Sequence, residues 1–286
     1  MARVRFENKV AWVTGASSGI GRAVALELDR LGARVILSGR NVERLNEVRQ
    51  ECREPTDHHV LPFDLTDLNG LPAIASEAMA MFGHIDFMVH NAGVAHRGLV
   101  VETALDVDQY IMATNYFGPV VLTKALLPAM SERRSGCFVV VSSLSGKFGG
   151  PCMSAYAASK HALQGFFESL VAEAHSDNIQ VTIAILGFIQ TDITKRALTG
   201  EGTPYGKTLS MYRRAMPPEA CARRLLRAVA TRRREVLIGG VEVWGAHLKR
   251  IAPSLMALVA RSHPVRTKRK IMNALGLRRK AGERRE

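Results

Sequence analysis

The chain has 286 residues, of which 47% are hydrophobic and 23% are charged, and its formal net charge is +13. This composition is typical of a folded domain with a large core, and it excludes a disordered or fibrous chain. The four cysteines lack a Cys-x-x-Cys pair, which disfavours disulfides and a zinc site and predicts a reducing compartment. The sequence has no apolar signal region, and no run approaches the roughly 18 apolar residues of a membrane span. We therefore expect a cytoplasmic protein.

The first predicted strand leads into a glycine-rich turn. Residues 10–13 are a short apolar run, typical of a buried parallel strand, and a helical pattern begins at Arg22. Between them, glycines stand at positions 15, 19 and 21, in the spacing Gly-x-x-x-Gly-x-Gly. Such glycines let the backbone approach a pyrophosphate whose charge sits at the helix N-terminus. The pattern therefore predicts a dinucleotide site, with a plain tight turn as the alternative.

The second predicted strand, residues 34–38, is followed by Gly39 and Arg40. Enzymes that use NAD usually place an acid about 20 residues after the glycine turn, where it binds the ribose 2′-hydroxyl. This chain has no acid there, and a guanidinium suits a 2′-phosphate by charge and by bidentate hydrogen bonding. We therefore predict NADP(H) as the cofactor. The alternative interpretation of Arg40 is a solvated loop cation.

Apolar runs rich in β-branched residues alternate with helical stretches along the chain. This alternation predicts an α/β fold, a doubly wound parallel sheet of seven strands in a single domain. Continuous hydrophobic runs fit strands that are buried on both faces. The predicted strands cover residues 10–13, 35–37, 59–63, 87–90, 138–142, 181–186 and 236–239.

Three polar residues in the middle of the chain indicate carbonyl chemistry. Tyr156 and Lys160 are four residues apart in a helical pattern and so share one helix face. We expect the Lys160 ammonium to lower the pKa of the Tyr156 phenol from about 10 towards working pH. Ser143, on a loop facing that helix, would hydrogen-bond the same substrate oxygen. A hydroxyl acid, a cation and a second hydroxyl are the groups that a carbonyl reductase needs.

Residues 193–218 interrupt the alternation of strands and helices. Three glycines and a proline between positions 200 and 206 mark a mobile segment, and Met211, Tyr212 and Met216 would line a pocket. We interpret this segment as a substrate lid whose closure excludes water. A plain surface loop is the alternative.

Positive charge is concentrated in the last third of the chain. Residues 1–194 contain 16 basic and 20 acidic side chains, whereas residues 195–286 contain 23 basic and 6 acidic ones. We place the end of the domain at residue 243 and interpret residues 244–286 as a basic extension, amphipathic over 247–259 and strongly basic over 266–270 and 278–280. This pattern favours an anionic membrane surface. Packing on a second subunit and a solvated tail are alternatives, and the lack of an aromatic stacking platform disfavours nucleic acid.

These motifs together resemble the short-chain dehydrogenase/reductase family. Further matching motifs follow in family order between residues 8 and about 240: Asp64-Leu65, Asn91-Ala92-Gly93, Asn115 and residues 186–191. Residues 139–147, the Leu186-Gly187 pair and the tail make the chain most similar to the branch of the 11β-hydroxysteroid dehydrogenases and the DHRS7-type reductases. His90 replaces an asparagine of the family pattern. Because it ends an apolar run, we expect it to pack in the core.

The resemblance implies roles in catalysis. Tyr156 would be the acid in reduction and the base in oxidation, and Lys160 would bond the nicotinamide ribose and tune Tyr156. Ser143 would polarise the carbonyl, and Asn115 would hold a water that relays protons from Lys160. The resemblance also implies that Asp64 bonds the adenine amine.

Other implied roles concern the cofactor. Asn91 would support its ribose, while Thr191 and the Ile189 backbone would hold the nicotinamide carboxamide. The full set of implied cofactor-binding residues is Gly15, Ser17, Ser18, Gly19, Ile20, Gly21, Arg40, Asp64, Leu65, Asn91, Ala92, Gly93, Tyr156, Lys160, Ile189 and Thr191.

The sequence therefore predicts an NADP(H)-dependent oxidoreductase that interconverts a ketone and a secondary alcohol, with a leaning towards reduction. The family branch, the lid and the tail favour a lipophilic substrate such as a steroid, sphingoid or fatty-acyl ketone. The resemblance implies a homodimer or homotetramer. One alternative is a β-ketoacyl reductase that acts on acyl-carrier protein, an acidic partner. Another is a non-catalytic cofactor sensor or scaffold, which the intact set of Ser143, Tyr156, Lys160 and Asn115 disfavours.

Overall fold

The computed structural model of the protein describes residues 4–261. A seven-stranded parallel sheet forms its centre, with the strand order β3-β2-β1-β4-β5-β6-β7. The predicted α/β, doubly wound fold is thereby confirmed. The strands are β1 (Val10–Thr14), β2 (Arg34–Ser38), β3 (His59–Val60), β4 (Phe87–His90), β5 (Gly136–Ser143), β6 (Ile179–Leu186) and β7 (Glu235–Ile238).

Helices connect the strands, as parallel pairing requires. In the part of the chain before residue 244 they are α1 (Gly19–Arg30), α2 (Val42–Gln50), α3 (Leu71–Phe82), α4 (Leu105–Met112), α5 (Gly118–Glu132), α6 (Ser154–Glu173), α7 (Ser210–Arg213) and α8 (Pro218–Ala230). A π-helical turn, Ala113–Phe117, joins α4 to α5. The strand order reverses beside β1, and ligands of such sheets bind at that point, outside the carboxyl ends of the strands.

The core explains why the strands are continuous apolar runs. Every residue of β1 is buried, because β1 pairs on both sides and helices cover both faces of the sheet. Val24 and Leu28 of α1 pack in the same apolar cluster as Leu225 of α8. Full burial of such a side chain stabilises the fold by about 1.5–3 kcal/mol.

The edge strand β3 is shorter than the predicted span 59–63. The regular ladder covers His59–Val60, although the Leu61 and Phe63 amides still donate to β2 and the residue after it, at 3.0 and 3.2 Å. Alternate backbone nitrogens of a strand are directed to the same side. Because those of Leu61 and Phe63 are directed toward β2, the nitrogen of residue 62 is directed toward the free edge of the sheet. Pro62 has no N–H to offer there, which suits an edge position.

The chain divides into two compact units, Met1–Val243 and Trp244–Glu286. The described part of the second unit consists of α9 (Trp244–Ile251) and α10 (Pro253–Arg261). The amphipathic stretch expected over residues 247–259 is thus two short helices, because Pro253 has no amide hydrogen and starts a new helix. The basic clusters 266–270 and 278–280 lie outside the described residues. None of the described helices is long and apolar enough to cross a membrane.

Candidate active site

The predicted site residues follow the carboxyl ends of adjacent strands. Thr14 ends β1, His90 ends β4, Ser143 ends β5 and Leu186 ends β6, and the glycine turn, Asn91 and the 188–191 segment come directly after three of them. Because these strands are parallel neighbours, their carboxyl ends lie along one edge of the sheet. The fold therefore brings the cofactor motifs and the catalytic motifs to the same edge.

Two glycines of the turn have no room for a side chain. Gly15 has φ +67°, and a Cβ there would lie 2.9 Å from the Ala92 Cα. A Cβ on Gly21 would overlap the Gly15 carbonyl oxygen and the side-chain nitrogen Nδ2 of Asn91. The turn is therefore packed against the segment after β4; the predicted approach of its backbone to a pyrophosphate stays a prediction.

Asn91 holds the glycine turn in place. Its Nδ2 donates to the Thr14 carbonyl at 2.8 Å and to the Gly15 carbonyl at 3.3 Å. The Thr14 hydroxyl donates to the Val89 carbonyl and accepts from the amides of Asn91 and Ala92. In the described structure the Asn91 amide thus binds backbone; its predicted contact with a ribose stays a prediction.

The N-terminus of α1 is suited to an anion. The first turn of α1, which lies within the described residues, contains no acidic side chain, and the Ser18 hydroxyl makes no capping bond to it. Its amides and the positive end of the helix dipole therefore face the turn. With the two crowded glycines, these features fit the pyrophosphate of a dinucleotide. Ser17 lies toward β2, 3.7 Å from the Cβ position of Gly39, and Ile20 packs against the core.

Arg40 stands after β2 and is 64% exposed. Its Nη1 donates to the Tyr110 hydroxyl of α4 at 2.9 Å and lies 3.8 Å from Asp64 Oδ2. Five N–H groups are available on a guanidinium, so these contacts leave donors for a further anion. Tyr110 was missed by the sequence reasoning, since nothing in its position links it to Arg40, 70 residues away.

Asp64 lies beside this arginine, and its predicted bond with the adenine amine stays a prediction. Asp64 Oδ1 accepts from the amide and the hydroxyl of Thr66, both at 2.9 Å, so its carboxylate is held in one orientation. Leu65 is 7% exposed and packs on Gly118, where a Cβ would come within 2.8 Å of the Leu65 carbonyl oxygen. Leu65 thus supplies an apolar wall beside Asp64.

The three catalytic candidates come together between β5 and α6. Tyr156 lies in the first turn of α6 and hydrogen-bonds Ser143, the last residue of β5. Lys160 lies one turn later and is 4% exposed. Its Nζ donates to the Val141 carbonyl at 2.9 Å and is 5.9 Å from the centre of the Tyr156 ring.

The expected lowering of the Tyr156 pKa is wrong for this structure. Burial raises the pKa of Tyr156 above its usual value, the nearby Tyr212 raises it further, and only the hydrogen bond with Ser143 opposes the rise. Burial also lowers the pKa of Lys160 to about 8. The Lys160 ammonium is directed at the Val141 carbonyl and does not offset the cost of desolvating the phenolate. A protonated phenol is the form required of an acid.

Asn115 occupies the π-helical turn, a local defect that is frequent at functional sites. Its Oδ1 accepts from the Val94 amide at 2.8 Å, and its Nδ2 donates to the Val94 carbonyl at 2.9 Å and to the Ser159 hydroxyl at 3.0 Å. A Cβ on Gly93 would lie 3.1 Å from Asn115 Oδ1 and 3.6 Å from Lys160 Nζ. Asn115 is therefore near Lys160. Because both Nδ2 hydrogens are used and Oδ1 already accepts one bond, the side chain could hold the predicted relay water only through the second lone pair of Oδ1.

Sequence reasoning also missed a residue that fixes the end of β5. Gln164 Nε2 donates to the Ser142 hydroxyl at 2.8 Å and to the Ser143 carbonyl at 3.2 Å. Gln164 is two turns after Tyr156 on α6, so it joins the strand that carries Ser143 to the helix that carries Tyr156. Its spacing from Lys160 along one helix face was the available signal.

The segment of Ile189 and Thr191 lies next to the glycine turn. The Thr191 methyl is 3.1 Å from the Cβ position of Gly19. Glu242, after β7, accepts from the Phe188 amide at 2.8 Å and from the Gly240 amide at 2.9 Å. Sequence reasoning missed Glu242; its only signal was an acid two residues after the Gly239-Gly240 pair.

The lid residues 193–218 approach the site from both of their ends. Leu198 exchanges backbone hydrogen bonds with Ala95 and Arg97, and the Gln190 amide donates to the Met216 carbonyl. The Tyr212 ring lies edge-on to Phe188, with ring centres 5.2 Å apart.

Two histidine environments are structural. His90 is 2% exposed, stacks on Phe138 and shares a hydrogen bond with the Thr123 hydroxyl. Burial lowers the His90 pKa to about 3, so its ring is neutral, as expected of a packed histidine. His58 accepts from the Val35 amide and bonds Asp29 at 3.0 Å, so both of its ring nitrogens are engaged. Within the described residues this pair and Cys52 are the grouping with metal-ligand chemistry, and they join α1 to β2 at the opposite edge of the sheet.

Comparison with known proteins agrees with this geometry. The family model for short chain dehydrogenases matches residues 9–202. Dehydrogenase/reductase SDR family member 7B of Bos taurus is 41% identical over 261 residues, which cover 88% of this chain and 80% of that protein. Dehydrogenase/reductase SDR family protein 7-like of Drosophila melanogaster is 39% identical over 262 residues, or 88% and 79% of the two chains.

Solved structures agree as well. A short-chain dehydrogenase from Streptomyces avermitilis superposes with a TM-score of 0.78 and 31% identity, covering 89% of this chain and 98% of that one. A metagenomic short-chain oxidoreductase in complex with NADP has a TM-score of 0.67 and 30% identity, covering 82% and 98%. The match of the family model over residues 9–202 and identity at this level over most of each chain mean that this chain belongs to the short-chain dehydrogenase family of oxidoreductases.

Proposed function

We propose that this chain is an NADP(H)-dependent oxidoreductase that interconverts a ketone and a secondary alcohol. The observation that carries the proposal is the convergence of Ser143, Tyr156 and Lys160 at the sheet edge where the glycine turn also lies. An exposed Arg40 at the end of β2, in the place of an acid, supports the phosphorylated cofactor.

In this proposal Tyr156, Ser143 and Lys160 have separate roles in the reduction of the carbonyl. The bound dinucleotide supplies the hydride. Tyr156 donates its phenol proton to the carbonyl oxygen, and Ser143 hydrogen-bonds the same oxygen. Lys160, whose pKa of about 8 keeps it mostly cationic at neutral pH, stabilises the phenolate that is left. General acid help of this kind contributes about 10²–10⁴-fold to the rate.

The choice of NADP(H) rests on residues rather than on relatives. Similar folds have been solved with NADP and, at 22% identity, with NAD, so the family alone leaves the cofactor open. Arg40 is held by Tyr110 and Asp64 yet keeps free donors, and the residue before it, Gly39, lies beside Ser17 of the glycine turn. A phosphate on the adenosine ribose would find a guanidinium there.

A fluorescence titration with NADPH and NADH tests this choice. Wild type should prefer NADPH, and Arg40→Ala should weaken NADPH binding by about 10- to 100-fold, the worth of one charge-assisted contact, while leaving NADH binding unchanged. Arg44→Ala, which removes a second exposed arginine four residues later on α2, is the matched control. Equal binding of both cofactors, unchanged by Arg40→Ala, would show that the 2′-phosphate argument is wrong and favour an NAD-linked dehydrogenase.

We further propose a lipophilic ketone as the substrate. Phe188 and Tyr212 form an aromatic pair after β6, and Met211 of the lid is 45% exposed. NADPH oxidation should be measured with small polar ketones, long-chain or steroid ketones and acyl-carrier thioesters. Turnover restricted to small polar ketones would contradict the lipophilic assignment, and a preference for the carrier thioesters would favour the β-ketoacyl reductase.

Contact with an anionic membrane through the basic extension belongs to the same proposal. Within the second unit, Trp244 is 69% exposed and Ile251 83% exposed, and Lys249 and Arg250 lie in the last turn of α9. Apolar and basic groups together suit an interface of anionic lipid. Cosedimentation with anionic and neutral liposomes, using wild type and Trp244→Ala, tests it. Equal recovery with both liposome types would count against membrane contact.

A further inference from the structure

The side chain of Arg196 connects the lid to the glycine turn. Arg196 lies in the first turn of the lid, where its amide donates to the Asp192 carbonyl at 3.0 Å. Its Nη1 donates to the Ser18 hydroxyl at 3.1 Å, across 178 residues of sequence. Thr191, just before, packs its methyl against the Cβ position of Gly19. The start of the lid therefore lies directly over the N-terminus of α1.

The surroundings of Arg196 leave its charge weakly compensated. The neighbouring acid is Asp192, whose Oδ2 is 3.9 Å from Arg196 Nη2. The Asp192 side chain is 62% exposed and the Arg196 side chain is 51% exposed. An exposed pair at this distance contributes little. Ser18, its other partner, is a neutral hydroxyl that makes no capping bond to α1. A guanidinium with unused donors thus stands beside the helix end that suits an anion.

We propose that Arg196 is a ligand of the cofactor pyrophosphate, and that through it the bound dinucleotide holds the first turn of the lid. A pyrophosphate offers more charge than Asp192 and can accept two parallel hydrogen bonds from one guanidinium. The amides at the start of α1 would contact the same group from the other side. The inference applies to NAD and NADP alike, because both contain the pyrophosphate.

The consequence concerns the order of events. Leu198, two residues after Arg196, bonds the backbone of Ala95 and Arg97, so the lid is attached on the catalytic side by its own backbone. Arg196 adds an attachment on the cofactor side. Cofactor binding would therefore order the lid before a substrate arrives.

The first experiment compares ligands with and without a pyrophosphate. Binding of NADPH, NADH, ADP-ribose and adenosine 2′-phosphate is measured on wild type, Arg196→Ala and Arg196→Lys. Arg196→Ala should weaken the first three by about 10-fold, as expected for a lost charge-assisted contact, and leave adenosine 2′-phosphate unchanged. Arg196→Lys should recover part of the loss. Lys195→Ala is the matched control, because it removes an exposed positive charge from the adjacent residue.

The second experiment observes the lid itself. Hydrogen exchange of residues 193–212 should slow when ADP-ribose binds to wild type or Lys195→Ala, and should not slow in Arg196→Ala at the same occupancy. Because Arg196 is half exposed, the thermal midpoint of Arg196→Ala should match that of the control.

The outcomes separate this inference from the proposed function. Tighter binding of NADH than of NADPH by wild type, with both affinities about 10-fold weaker in Arg196→Ala, would support the pyrophosphate contact while refuting the role of Arg40. ADP-ribose binding and lid protection that are equal in Arg196→Ala and Lys195→Ala would overturn the inference with the NADP assignment intact. Failure of wild type to bind either dinucleotide would overturn both.

Discussion

Replacement of Lys160 by methionine should stabilise the fold while it removes activity. Lys160 is 4% exposed, and burial lowers its pKa from 10.5 to about 8. Each pKa unit corresponds to about 1.36 kcal/mol, so at neutral pH the buried ammonium lowers the free energy of unfolding by about 3 kcal/mol. Methionine is unbranched, flexible and uncharged, and it can fill the same space.

The stabilisation expected for Lys160→Met is reduced because the variant loses a hydrogen bond. Lys160 Nζ donates to the Val141 carbonyl at 2.9 Å, and loss of a donor to a buried carbonyl costs about 1–3 kcal/mol. The net stabilisation of Lys160→Met at pH 7 should therefore be about 1 kcal/mol, or a rise of about 2–4 °C in the thermal midpoint. Turnover should fall by at least about 100-fold, because the phenolate of Tyr156 loses its cation.

The dependence on pH gives the sharper test. Between pH 8 and 10.5 the unfolded lysine binds more protons than the folded one, so wild-type stability rises with pH relative to the variant. The advantage of Lys160→Met should be largest below pH 8, shrink by about 1.4 kcal/mol per pH unit above it, and reverse at about pH 9.

Urea unfolding of both proteins from pH 7 to pH 10 measures this difference directly. Lys124→Met, on an exposed position of α5, is the control and should show no such trend. A difference between wild type and Lys160→Met that stays constant with pH, or a destabilised variant at pH 7, would refute the reasoning that Lys160 is charged at a cost.

Three further substitutions test the site. Tyr156→Phe should lose about 10²–10⁴-fold in turnover and keep its dinucleotide Kd, because the phenol proton acts on the substrate. Gly21→Ala should raise the dinucleotide Kd, measured by titration, since the new methyl overlaps the Gly15 carbonyl and forces the turn open. Glu242→Ala leaves the Phe188 and Gly240 amides without their acceptor and should lower the free energy of unfolding by about 1–3 kcal/mol, which is seen as a lower thermal midpoint.

Each of these expectations has an outcome that contradicts it. Normal turnover of Tyr156→Phe would exclude it as the proton donor. Unchanged cofactor affinity of Gly21→Ala would mean that the turn does not approach the ligand. Glu242→Ala should be compared with Glu235→Ala on the exposed end of β7, and equal midpoints of the two variants would show that Glu242 does not support the segment after β6.

Local patterns were sufficient wherever one segment contains the whole signal. Strands that are buried on both faces are apolar throughout, so their runs could be located closely and a parallel sheet predicted, whereas the edge strand β3 is shorter than its predicted span. The glycine turn could be located from its spacing alone, although the contacts that require glycine at Gly15 and Gly21 come partly from Asn91 and Ala92. Tyr156 and Lys160 share a helix face through their spacing alone.

Contacts between remote segments were not predicted. Tyr110 meets Arg40 across 70 residues, and Arg196 meets Ser18 across 178. Neither spacing has any periodicity, so only the packing of α4 and of the lid onto the sheet edge could bring these pairs together. Glu242 was missed for the same reason, since its partner is the backbone of Phe188.

The sequence by itself determined the fold class, the family and the position of the chemistry along the chain, because apolar runs, glycines and a helical spacing are local properties. The tertiary structure alone decided the electrostatics. The sequence predicted that Lys160 lowers the pKa of Tyr156, whereas the fold raises that pKa and lowers the pKa of Lys160. The physical reason is burial: the energy of a charge depends on how much water the surrounding elements exclude, and no stretch of sequence specifies that.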